Sequence, residues 1–124
     1  MISSRQRSYL KLAKRVAKRS DCRCQIGSVL VKSGRVISFG WNSRKRTPKS
    51  AKLGYNWSLH AEIDTCLGFS PEEIRDATLY NYREDRQGRR KISKPCPTCE
   101  HVLRGLGVRR VYYSTTEGTQ CLSL

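Results

Sequence analysis

Hydrophobic positions recur at three- and four-residue intervals along the first twenty residues. Tyr9, Leu10, Ala13, Val16 and Ala17 share one helical face, while Arg5, Lys11, Lys14, Arg15, Lys18 and Arg19 occupy the rest. Ser3 or Ser4 is placed to cap this helix. The period then drops to two. Gln25 to Val31 reads as a strand, Lys32-Ser33-Gly34 as a tight turn, and the chain up to Trp41 as a second strand whose Ile37, Phe39 and Trp41 fall on one face, a predicted core face. A polar, basic stretch follows from Ser43 to Lys52. Ser58 then caps a second helix with Leu59, Ile63, Cys66 and Leu67 as its apolar face, and Ser70-Pro71-Glu72-Glu73 has the form of a capping box for a short helical turn ending before Ala77. Ala77 to Arg83 is a third strand, and Glu84 to Lys94 is an excursion with Gln87-Gly88 at its tip. The third full helix carries Cys99, Val102, Leu103 and Leu106 on one face and stops at Gly107, before a fourth strand from Val108 to Ser114. The residues after it are too few for the dozen or more that a crossover to a parallel strand takes. Glu117-Gly118 is therefore expected to turn Thr119 to Leu124 back as an antiparallel edge strand.

Alternating helices and strands within 124 residues predict one α/β domain spanning residues 1–124. An apolar content of 37% makes for a lean core. Six cysteines without a signal-peptide pattern point to reduced thiols, hence to an intracellular, cytoplasmic protein, although an Arg-rich, acid-free start also fits a mitochondrial transit peptide. No apolar run approaches a membrane span, so no membrane partner is expected. The balance of 25 Lys+Arg against 10 Asp+Glu gives a formal charge of +15, a field that attracts polyanions.

Chemistry concentrates in His60-Ala61-Glu62 and Pro95-Cys96-Pro97-Thr98-Cys99. Pro97 suits a first helical position, so Cys96 and Cys99 stack on the opening turn, where the positive end of the helix dipole favours thiolates and metal. With His60 as a third ligand, one tetrahedral position stays open for water, as in a catalytic zinc site. Glu62, two residues on, points about 200° from His60 on a helix, which suits a proton carrier better than a ligand. Cys22 and Cys24 have the C-x-C form of a second metal pair but no further unassigned ligands nearby, and read as buried or incidental thiols. His101, about 200° from Cys99, reads as exposed.

The H-x-E and P-C-x-x-C segments together resemble the zinc-dependent cytidine deaminase superfamily. Ile26-Gly27-Ser28-Val29-Leu30-Val31, Gly40-Trp41-Asn42 and Gly107 through Tyr113 fall in that family's order. The resemblance implies a three-layer α/β/α fold around a mixed four- or five-stranded sheet, Zn2+ held by His60, Cys96 and Cys99, and Glu62 as general acid/base. It implies hydrolytic deamination of cytosine to uracil, the substrate being a cytosine-containing nucleotide or single-stranded DNA or RNA. It also assigns Asn42 to the substrate sugar, though Ser43 and Arg44 stand where free-cytidine deaminases carry an acidic residue. Ala61 would border the pocket, Tyr55 and Trp57 are near enough in sequence to stack on a base, and Arg44, Arg89 and Arg90 are candidate phosphate contacts. The number of cations expected at the rim favours a polymeric substrate. Relatives form dimers or tetramers, and an edge strand leaves room for a homo-oligomer. The competing readings are a basic nucleic-acid-binding protein whose zinc is structural, closed by Cys66 or His101, and a deaminase of free cytidine or of adenine.

Overall fold

The computed structural model describes residues 2–43, 61–66 and 68–124. Helix α1 spans Ser4–Ala17, and its start is fixed by a capping box in which Ser3 and Gln6 satisfy each other's backbone amides. Leu10, Ala13, Val16 and Ala17 are its buried stripe, as the spacing predicts. Strands β1 (Gln25–Lys32) and β2 (Arg35–Trp41) form an antiparallel hairpin. Helix α2 covers Ala61–Cys66, and the short α3 covers Pro71–Ile74 behind the expected Ser70 cap. Strand β3 (Thr78–Glu84) runs antiparallel to β1, and the excursion after it folds back as the two-residue β4 (Arg90–Lys91). Helix α4 (Pro97–Leu106) then crosses to β5 (Arg110–Ser114), which lies parallel to β3. Last comes β6 (Thr119–Ser123), antiparallel to β5. The sheet order is β2-β1-β3-β5-β6 with β4 on the end of β3. The mixed sheet and its antiparallel last strand are as expected, and β4 brings the strand count to six.

Alternation along the strands divides the core in two. Leu30, Leu79, Val111 and Tyr113 pack with Cys66 of α2 and Leu103 of α4 on one face. On the other face Val29, Val31, Tyr80 and Tyr82 pack under α1. No described helix is long and apolar enough to cross a membrane.

Two expectations about side-chain placement are corrected. Ile37, Phe39 and Trp41 do not share a face. Val36 pairs with Val31 but Ser38 pairs with Leu30, so Ile37 is the extra residue of a β-bulge. Ile37 therefore joins the α2/α4 core, Trp41 joins the α1 core, and Phe39 is 45% exposed. Val102 is also exposed, and Cys99 and Leu103 carry the buried stripe of α4. On α2 the inward residues are Ala61, Glu62, Thr65 and Cys66. Ile63 is only half-buried, while Ser58, Leu59 and Leu67 lie outside the described residues.

Candidate active site

Cys96 is the N-cap of α4 in extended backbone, and its sulfur accepts a hydrogen bond from the Cys99 amide at 3.5 Å. Pro97 follows at the first position, where its missing N–H costs nothing. The two cysteines thus stack on one helical turn. Cys99 is buried at 3% exposure, whereas Cys96 is half-buried.

Opposite them, α2 packs on α4 and turns Glu62 inward at 4% exposure. Burial and then the Glu62 charge push the Cys99 thiol well above its ordinary pKa, with a smaller upward push from Cys96. The same two causes, burial first, raise Cys66 to about 12. A buried carboxylate thus sits within electrostatic reach of two thiols, and both thiols disfavour ionisation there. A divalent cation would invert that balance, because it stabilises thiolates and carboxylate together. Cys96 and Cys99, stacked on one turn, supply two thiolate donors of the kind zinc takes; among the described residues no third ligand completes a metal cluster with them.

A strap from Lys91 to Lys94 delivers Cys96 to this place. The Ser93 hydroxyl donates to the Asn81 carbonyl at 2.9 Å, and the Asn81 amide donates back to the Ser93 carbonyl at 2.7 Å. Ser114 donates from its amide to the Ser93 hydroxyl and from its own hydroxyl to the Lys91 carbonyl, each at 2.8 Å. Ser28 closes the network by donating to the Asn81 side-chain oxygen. All four of these side chains are buried. Hydrophobic patterning does not single them out, since small polar residues in strands read as surface.

The predicted site residues distribute unevenly. Glu62, Cys96 and Cys99 come together, with Ala61 fully buried at the start of α2. His60, Arg44, Tyr55 and Trp57 lie outside the described residues. The Asn42 carboxamide is engaged with backbone: its oxygen accepts from Ile26 N–H at 2.9 Å and its nitrogen donates to the Cys24 carbonyl at 2.8 Å. Arg89 is mostly exposed at the hairpin tip and holds Asp85 at 2.7 Å. Arg90 pairs across from Glu84 and lies with α1 residues, on the face of the sheet away from Cys99. His101 is exposed, and Cys66 belongs to the core beside Glu62. Of the basic residues near the excursion, Arg83 is on the cysteine face, where its guanidinium donates to the Ile92 carbonyl.

Residues 3–115 match the sequence profile described as the cytidine and deoxycytidylate deaminase zinc-binding region. A deoxycytidylate deaminase of Schizosaccharomyces pombe is 34% identical over 119 residues, covering 87% of this chain and 36% of that protein. The deoxycytidylate deaminase of Mycobacterium phage D29 is 30% identical over 125 residues, covering 85% and 90% respectively. This chain therefore spans about a third of the Schizosaccharomyces relative and most of the phage one. Among solved structures, the dCMP deaminase of cyanophage S-TIM5 in complex with dCMP and dUMP superimposes with a TM-score of 0.64 at 25% identity, over 90% of this chain and 81% of that one. Because the profile match runs through Glu62, Cys96 and Cys99, and the fold that carries them is shared, the chain belongs to the cytidine and deoxycytidylate deaminase zinc-binding family.

Proposed function

We propose that this chain hydrolyses the exocyclic amine of cytosine in a pyrimidine nucleotide, with deoxycytidylate as substrate, yielding the uracil nucleotide and ammonia. The observation that carries the reading is Glu62, a carboxylate almost wholly buried beside Cys99. A carboxylate is costly to bury unless its charge or its proton is used. His60, Cys96 and Cys99 would hold the zinc. The chemistry that zinc supplies in a three-ligand site is a water acidified to a pKa near 7. Glu62 takes the proton of the attacking water and passes it to the ring nitrogen as the amine-bearing carbon becomes tetrahedral. A second proton, also carried by Glu62, goes to the amine, so the carbon–nitrogen bond breaks with neutral ammonia leaving. Water thus supplies the new carbonyl oxygen, and both of its protons are accounted for.

A mononucleotide is favoured over a strand for two reasons. Both relatives above are deoxycytidylate deaminases by name. In addition, two of the cations that would argue for a polymer at the pocket are engaged elsewhere, Arg89 on Asp85 and Arg90 on the α1 face.

The test is uracil formation by native protein and by Glu62→Gln on deoxycytidylate, deoxycytidine and a cytosine-containing single strand, with zinc content measured on both proteins. Turnover of deoxycytidylate that falls about 100- to 10,000-fold in Glu62→Gln, at unchanged zinc content, is the expected result. Equal turnover by the two proteins, or turnover of the single strand alone, would overturn the assignment.

A further inference from the structure

On the side of the sheet away from Cys99, a groove of about 550 Å³ opens between α1 and the β3–β4 end. Arg7, Lys11 and Lys14 line one wall, Arg90 stands on the other, and Tyr82 and Thr119 lie between. The three helical cations are spaced i, i+4, i+7, so they form one stripe about 10 Å long. Four successive phosphates of a strand at the stacked rise of about 3.4 Å span that length. The charge is uncompensated: α1 contains no acidic residue, the nearby buried Glu84 is already held by Lys18, and among the described residues Arg7, Lys11 and Arg90 have no carboxylate partner.

The other flank of α1 carries a second, independent feature. Phe39 is 45% exposed and stacks on Trp41 with ring centroids 6.5 Å apart and planes 22° apart. The Arg19 guanidinium lies over both rings, 5.5 Å from Phe39 and 5.3 Å from Trp41. A partly exposed aromatic ring with a guanidinium laid over it presents two planar groups against which an unpaired base stacks. Cations with no counter-charge and an exposed ring on the same face of the sheet match the two parts of a nucleotide chain. The stacking part selects single strands, whose bases are free.

We infer that the α1 face is a binding surface for single-stranded nucleic acid, separate from the deaminase pocket. The backbone lies along Arg7, Lys11, Lys14 and Arg90, and a base rests on Phe39. The inference does not depend on the proposed reaction. It adds to the active site a means of holding the enzyme on a strand that is not its substrate.

The probe is a labelled oligothymidylate of about fifteen residues, which offers no cytosine to the pocket, followed by fluorescence anisotropy between 50 and 200 mM salt. Arg7→Glu combined with Lys11→Glu should weaken binding at least tenfold and reduce the log–log salt slope by about 1.4, two contacts' worth for a single strand. Arg75→Glu combined with Arg109→Glu makes the same change in net charge at the α3–β5 junction and should cost less than threefold. Phe39→Ala should weaken binding about tenfold. Deoxycytidylate turnover should be unchanged in all three variants. Equal losses in the two double variants would reduce the effect to overall charge and overturn the inference. So would displacement of the strand by tripolyphosphate at matched phosphate concentration, or a native dimer that the α1 variant dissociates.

Discussion

Gly27 shows how closely the two layers meet. A Cβ built there falls 2.1 Å from the Ala13 carbonyl oxygen and 2.5 Å from the Ala17 amide nitrogen, both fixed helical backbone. Only a hydrogen at that position lets α1 lie on β1, and Ala13 and Ala17 are small for the same reason. Gly27→Ala should therefore push the helix off the strand and destabilise the protein by about 3 kcal/mol, the upper end of the usual overpacking cost. Gly105 is the contrast: it sits inside α4, and a Cβ there would meet nothing within 4 Å, so Gly105→Ala should stabilise by about 0.5–1 kcal/mol through helix propensity alone. Urea titration of both variants checks the pair, and similar stabilities would refute the close-approach argument. At this scale the sequence reveals the chemistry better than the packing. Glu62 and the two cysteines are legible because ligand spacing is a local property. Gly27 is not, because the helix it touches is set by tertiary contact.

The strap between β4 and α4 is the element on which the cysteine pair depends. Asn81 is 1% exposed, and its carboxamide joins Ser28 on one side to the Ser93 carbonyl on the other. Asn81→Ala strands a buried hydroxyl and a buried carbonyl, each costing about 1–3 kcal/mol. The expected loss of stability is about 2–6 kcal/mol, and the opening should be local. Hydrogen exchange should accelerate at the Ser93 and Ser114 amides, which close the strap, while the α1 amides keep their rates relative to global unfolding. Uniform acceleration across the chain would mean that the network serves the whole sheet instead. The same segment explains why sequence reasoning misplaces Arg90. A hairpin's register decides which face each side chain takes, and a one-residue slip would turn Arg90 toward the cysteines. Pairing of Glu84 with Arg90 sets it on the α1 face. Nothing in Gln87-Gly88 distinguishes those registers, just as nothing in Val36-Ile37-Ser38 announces the bulge. The antiparallel β6, by contrast, follows from the Glu117-Gly118 turn signal, which needs no register.

Charge dominates the behaviour of the whole molecule. A formal +15 on 124 residues is self-repulsive, and α1 concentrates it, since every charged residue along its exposed side is a cation. Salt acts on two opposed contributions. It weakens surface pairs such as Arg104–Glu100 and Arg89–Asp85, which are worth at most about 1 kcal/mol each. It also screens repulsion among all the uncompensated cations, which act over the Debye length of about 10 Å at 0.1 M but only about 3 Å at 1 M. The cations outnumber the pairs, so screening should win. Thermal unfolding in potassium chloride, which avoids the stabilising effect of sulfate on apolar burial, should therefore move upward between about 0.1 and 1 M. A gain of about 1–2 kcal/mol corresponds to roughly 4–8 °C for a domain of this size. The Arg7→Glu, Lys11→Glu variant relieves the same repulsion by substitution, so it should start from a higher midpoint at about 0.1 M and gain less from added salt. A native midpoint that falls with salt would mean that attractive pairs, and not the excess of cations, govern the stability of this fold.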